Sequence, residues 1–256
     1  LERLSLALDG RLRITGRASN EEAVEQLLSA LSRMTLQEAF DLALDTYVGG
    51  AEAWQHALIQ AYASHGPFVQ NDYPNLEHAV DLLIRWNGRA DPDQIGTALY
   101  SQWQQICRQK GRAVNIRHIL SNQRLGDETR RTLLTSLGEA AGELKSTYGR
   151  LEVPWKEINR SRRGERSWGV SGSSGEGMEV LRVVSTAPDR TAKNGTSGQS
   201  CTTVILFHAP GQVESFSAVP FGQSDDPASP HSWDQAEALC SRDRLKPNGY
   251  HKAGDP

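Results

Sequence analysis

No stretch of this 256-residue chain approaches the roughly 18 consecutive apolar residues of a membrane-spanning helix, and mean hydropathy is −0.53. Charge of one sign is equally scarce. The 28 Lys and Arg against 31 Asp and Glu leave a formal net charge of −3 and a pI near 6.2, so nothing draws the chain to nucleic acid or an anionic membrane. Cysteine is rare: Cys107, Cys201 and Cys240 lie far apart without C-x-x-C spacing, which argues against zinc. One disulfide is open to them, and the odd count then leaves a free thiol. No signal-peptide pattern and no internal repeat is visible, and the missing leader carries no weight in a chain that starts at Leu1.

What is present divides near residue 150. Residues 1–150 read as a helical segment. Ser19-x-x-Glu22 is a capping box ahead of Val24, Leu27, Leu28 and Leu31. Thr35-x-x-Glu38 is another, opening a helix with Phe40, Ala43, Leu44 and Tyr47 on one face and an end at Gly49-Gly50. A third helix carries Trp54, Leu58 and Tyr62 and is predicted to stop before Gly66-Pro67. Asn75 caps a fourth, which Asn87-Gly88 ends. Asp91-Pro92 predicts a fifth helix with proline in its first turn, running past Leu99 and Trp103 to Gly111. A long helix is predicted from Asp127 to Tyr148, with Leu133, Leu134, Leu137, Ala141 and Leu144 inward and Gly149 beyond its end. Core packing is the expected role of Trp54, Trp86 and Trp103.

Residues 151–256 read as a β-rich segment. Arg160 to Gly177 is predicted to be an exposed loop, Met178 to Val184 a strand, and Asp189 to Gln199 a polar loop. Thr202–His208 and Val213–Val219 predict a hairpin, Trp233–Cys240 a short helix, and the tail after Asp243 is expected to be loose. Val204, Leu206, Phe216 and Ala218 form an apolar face with no evident partner layer within the chain. The pattern alone gives α+β, helices first and strands last.

Several residues carry chemistry in type. Ser171, in Gly-Val-Ser-Gly-Ser, fails the G-x-S-x-G elbow at position 173. His208, His231 and His251 with Asp226 or Asp234 match no metal-ligand spacing. Ser229, His231 and Asp234 have the composition of a triad, but a triad is defined by geometry. The plainer expectation is that Ser229 caps a turn, Pro230 stiffens it, and His231 and Asp234 satisfy buried backbone groups. Cys201 has no cationic neighbour in sequence to activate it. Arg160, Arg162, Arg163 and Arg166, beside Trp155 and Trp168, could meet an acidic partner or substrate carboxylate, or Arg160 could pair internally with a carboxylate or carbonyls.

Three segments join into a resemblance. Gly222-Gln223-Ser224-Asp225-Asp226-Pro227-Ala228-Ser229-Pro230-His231-Ser232-Trp233-Asp234-Gln235 resembles the C-terminal signature of the penicillin acylase family of N-terminal-nucleophile hydrolases, roughly G-Q-S-G-[DN]-P-x-S-P-H-Y-x-D-Q. Asp225 replaces the second glycine, and Trp233 stands one place after the usual aromatic. Pro154-Trp155-Lys156-Glu157-Ile158-Asn159-Arg160, with Arg163-Gly164 following, is similar to the family's P-W-x-x-[VI]-[NH]-R-x-x-R-G stretch, and Gly195-Thr196-Ser197-Gly198 to its G-x-S strand entry.

The resemblance implies a catalytic subunit of an acylase with a four-layer αββα sandwich, of which these residues would be the C-terminal part. The expected nucleophile is a Ser or Cys freed upstream by self-cleavage, so the chain holds no catalytic residue and is inactive alone. Leu1-Glu2-Arg3-Leu4 is similar to a helix that follows those elements. Trp155, Asn159, Arg160, Gly222, Ser224, Pro227, Ser229, Pro230, His231 and Asp234 are the structural signature. Substrates implied are β-lactam side chains, N-acyl homoserine lactones or acylated peptides. The partners implied are the α subunit and the N-terminal part of the β subunit, in a periplasmic or extracellular location. No cofactor is expected beyond calcium in some relatives, whose ligands cannot be assigned here. The alternative is a non-catalytic helical binding module with a small β appendage.

Overall fold

The computed structural model describes residues 4–8, 12–16, 35–109, 114–175, 177–189, 191–209 and 212–249. The fold is α+β, with helices packed around one apolar core and two sheets whose pairings are nearly all antiparallel. After α1 (Leu36–Ala43), the core is built by α2 (Ala51–Val69), α3 (Leu76–Arg85), α4 (Gly96–Cys107), the short α5 (Ile116–Leu120) and α6 (Asp127–Tyr148). The long α6 packs against α2, α3 and α4. Leu133, Leu134, Leu137 and Ala141 on its inner face are fully buried, as are Leu58, Leu83 and Leu99 opposite. Trp54 and Trp103 meet edge to face at 5.4 Å, and Trp103 Nε1 donates to the Leu133 carbonyl at 3.0 Å. Each such side chain contributes about 1.5–3 kcal/mol by leaving water.

The local punctuation holds where it is self-contained. Thr35 and Glu38 form the reciprocal capping box, and Gly149, at φ 74°, closes α6. It fails where a distant group competes. α1 stops at Ala43, short of Gly49-Gly50, because Asp45 turns away to pair with Arg89 and its carbonyl takes the Arg182 N–H. α2 runs through Gly66-Pro67 to Val69. A Cβ at Gly66 would sit 2.7 Å from the Tyr62 ring, so glycine there lets that ring lie along the helix. Asn75 does not cap α3 with its side chain, which accepts from Lys145 Nζ instead. Asp91-Pro92 does not start α4, which begins at Gly96: the Asp91 carboxylate accepts from Thr46 Oγ1, and the Pro92 carbonyl from the Lys156 N–H at 2.7 Å. The helix expected around Val24–Leu31 lies outside the described residues.

The first sheet contradicts the all-helical reading of the chain's start. β1 (Leu4–Leu8) and β2 (Leu12–Gly16) pair with each other, and β2 joins β7 (Thr202–Ala209) through Leu12↔Leu206 and Ile14↔Val204. The alternating Leu4-x-Leu6-x-Leu8 followed by Asp9-Gly10 was the signal for it. β8 (Gln212–Ala218) forms the expected hairpin with β7, and β9 (Lys246–Asn248) adds to its far side, so the tail is held beyond Asp243. The apolar face is partly covered: Val204 is fully buried beneath Ala39 and Ala43 of α1, Phe40 meets Phe216 edge on at 5.0 Å, and Leu206 stays half-buried.

The second sheet lies where loops were predicted. A single helical turn, α7 (Trp155–Ile158), leads into β3 (Asn159–Arg163). β4 (Arg166–Gly169) pairs back on β3, and β6 (Ala192–Gly198) runs between β3 and β5 (Val184–Asp189). Met178 and Val180 are buried without forming a strand, and β5 starts only at Val184. Of the cysteines, none is disulfide-bonded: Cys107 is buried, Cys240 half-buried and Cys201 exposed. Among the described residues no helix is long and apolar enough to cross a membrane.

Candidate functional site

Two assemblies contain the signature residues. The first is built where α7 passes into β3. Trp155, 2% exposed, donates from Nε1 to the Gly172 carbonyl at 2.9 Å. Asn159, 1% exposed, spans the same carbonyl at 3.0 Å and that of Val170 at 3.0 Å with its Nδ2, with Ser171 at 3.4 Å. The Val170 N–H returns a bond to the Asn159 carbonyl. Two aligned side chains thus hold residues 170–172 against the strand. Gly172, at φ 85°, permits this approach, since a Cβ would lie 2.3 Å from the Arg182 carbonyl. Asn159 Oδ1 is buried without a partner among the described residues. Arg160 pairs internally with the Ser167 hydroxyl at 2.8 Å and the Ser167 and Lys156 carbonyls, with no carboxylate among the described residues.

The second assembly is the terminal signature, and backbone makes it. The His231 carbonyl accepts from the Gln223 N–H at 2.7 Å and the Ser224 N–H at 3.1 Å, while the Gly222 N–H reaches the Ser232 carbonyl. A Cβ on Gly222 would lie 1.7 Å from the His231 carbonyl oxygen. The glycine therefore serves a close crossing of two segments rather than a turn. Ser229 Oγ caps the 3-10 turn Pro230–Ser232 by accepting from the His231 N–H, and Ser224 Oγ accepts from the Asp226 N–H. Pro227 lies in the loop between them. The imidazole of His231 stands in solvent, its Nδ1 2.9 Å from Asp234 Oδ2; Asp234 Oδ1 accepts the neighbouring Gln235 N–H at the start of α8 (Asp234–Ala238). The side chain of His231 therefore meets no buried backbone group; its carbonyl does.

The β3–β4 hairpin brings the two assemblies together. Trp168 stacks on Trp233 with centroids 6.1 Å apart, and the Arg166 guanidinium caps the same indole at 3.8 Å. Arg163 donates to the Pro220 carbonyl and lies over Phe221. An open groove of about 1030 Å³ follows this junction, between Arg163, Arg166, Phe221, Ser224, Pro227 and Trp233.

A second link was missed in the sequence. Arg182, 4% exposed, forms an ion pair through Nε with Asp243 Oδ1 at 3.1 Å and donates to the Cys240 carbonyl at 2.9 Å. Asp243 adopts φ 51°, a left-handed conformation that aspartate tolerates, and also accepts from Ser171 Oγ at 2.5 Å. Nothing local marks Arg182 or Asp243, which lie 61 positions apart in sequence.

Among the described residues, none of Ser171, Ser229 and Cys201 is both open to a substrate and paired with a base. Ser171 is fully buried against Asp243, Ser229 Oγ faces the main chain rather than the imidazole, and Cys201 Sγ contacts Thr203 Oγ1. Nucleophilic catalysis needs that pairing. Among the described residues no group of three or more His, Cys, Asp or Glu is placed to hold a metal, and His251 lies outside them.

Comparison with known proteins gives one positive finding: a family described as penicillin amidase matches residues 18–253. A search of curated proteins finds no match.

Proposed function

Because this chain belongs to the penicillin amidase family, we propose that it is the C-terminal scaffold of an acylase subunit whose nucleophile is carried by another segment of the same precursor. The family hydrolyses amides. The proposed reaction opens the amide between an acyl chain and an amine through an acyl-enzyme on an N-terminal Ser or Cys, with the nucleophile's own α-amine as base. An oxyanion site would be supplied upstream. The two sheets would continue into a four-layer αββα sandwich completed by the α subunit and the rest of the β subunit, in the periplasm or outside the cell. The W-x-x-I-N-R-x-x-R-G form of residues 155–164 favours N-acyl homoserine lactones and acylated peptides over β-lactam side chains as substrates.

The observation that carries this reading is the stacking of Trp168 on Trp233, which joins the two signature segments into one support while Ser171 and Ser229 are engaged elsewhere. The test is an assay with long-chain and aryl-acetyl nitroanilides. The chain alone is expected to show no turnover, and the same residues expressed within the precursor to be active. Turnover by the chain alone, abolished by a single Ser or Cys substitution within residues 1–256, would sink the proposal.

A further inference from the structure

One cavity lies away from both signature assemblies. About 200 Å³ in volume and open on one side, it sits among α4, α6, α7 and β6, lined by Ser101, Glu143, Thr147, Tyr148, Trp155 and Lys193. Lys193 is fixed on β6 opposite Asn159 of β3 and Pro188 of β5. The other described lysines each have a partner: Lys145 bonds Asn75, Lys156 pairs with Asp93, and Lys246 bonds Asn248. Lys193, half-buried, has none among the described residues. We propose that Lys193 is a reactive amine that captures small aldehydes in this cavity as a Schiff base.

The chemistry follows from the surroundings. An ammonium deprived of water and of a counter-ion is disfavoured, so burial lowers the Lys193 pKa and raises its share of free amine. The titratable groups lining the cavity are Glu143 and Tyr148, both on α6; the lining residues of α4 and α7 carry none. Tyr148 is engaged, its hydroxyl donating to the Thr191 carbonyl, while Glu143 accepts from Gln102 Nε2 and keeps lone pairs free. The amine nitrogen adds to the aldehyde carbon, forming a C–N bond, and passes a proton to the carbinolamine oxygen. The Glu143 carboxylate takes the nitrogen's second proton and hands it to that oxygen, which leaves as water as the C=N bond forms. Nothing is oxidised or reduced. At roughly 30 Å³ per small non-hydrogen centre, the volume admits about six such atoms.

The experiment incubates the chain with butanal and cyanoborohydride at pH 7 and maps alkylated lysines by peptide mass spectrometry. Lys193 is expected to be labelled at least tenfold faster than Lys145, Lys156 and Lys246, with a rate–pH midpoint below theirs. Lys193→Arg should abolish the fast phase, and Glu143→Gln should slow it, both with unchanged circular dichroism. A bulky naphthaldehyde and urea-unfolded chain should each lose the selectivity. Labelling of Lys193 no faster than of the other three, or a fast phase that survives Lys193→Arg, overturns the proposal. The outcome is independent of acylase activity, because it reads covalent capture on this chain alone.

Discussion

The α7–β3 assembly and the terminal signature hold the chain by opposite means. At Trp155 and Asn159 the donors are side chains, both almost fully buried, reaching carbonyls that the strand ladder leaves over. At Gly222 and His231 the bonds run from main chain to main chain, and the named side chains either are absent or stand in water. A signature residue can thus be required for the group it carries, for the space it leaves empty, or only for the backbone path it allows. The same motif letter means different physics in the two places.

That contrast can be broken most severely at Gly222. Gly222→Ala places a methyl group 1.7 Å from the His231 carbonyl oxygen, far inside van der Waals contact, and separating the segments loses three backbone bonds. At about 1 kcal/mol each plus strain, we expect a loss of about 4 kcal/mol and a melting temperature lower by roughly 10 °C, read by calorimetry. An unchanged melting temperature would mean that the crossing does not exist. Asn159→Ala tests the other side. It strips the side-chain donor from the Val170 carbonyl, while the Gly172 carbonyl keeps Trp155 Nε1, and should cost about 2 kcal/mol in denaturant unfolding, with Asn159→Gln failing to restore it because the longer amide cannot span the same pair. The smallest effect belongs to His231→Ala, expected within about 0.5 kcal/mol of wild type, since only an exposed contact to Asp234 is lost. In an intact acylase the same variant should keep normal turnover per titrated active site. A hundredfold fall per site would make the imidazole catalytic.

Legibility in the sequence followed the range of the forces involved. The Thr35–Glu38 box and the Gly149 stop could be read because each needs only a few neighbouring residues. β6, Ala192–Gly198, contains two glycines, an asparagine and a lysine and has no strand propensity to speak of; it is a strand because β3 and β5 pair with its two edges. Asp91-Pro92 carried a proper helix-start signal, overridden by Thr46 and Lys156 from 45 and 64 positions away. In the signature regions, residue types identified the segments, but not which atom of each residue acts. The sequence suggested buried work for the imidazole of His231, whereas its carbonyl oxygen receives the two bonds.

The Arg182–Asp243 pair has a consequence for how the end of the signature region is held. A guanidinium that is 4% exposed is tolerable only with its counter-charge, and breaking such a pair costs about 3–5 kcal/mol. The two partners lie 61 positions apart, so the cation is compensated only when the segment after the terminal signature is docked. Loss of the Asp243 carboxylate strands that cation, along with the hydroxyl of Ser171. The pair therefore couples two distant segments: losing either partner removes stability at a point far from the lesion.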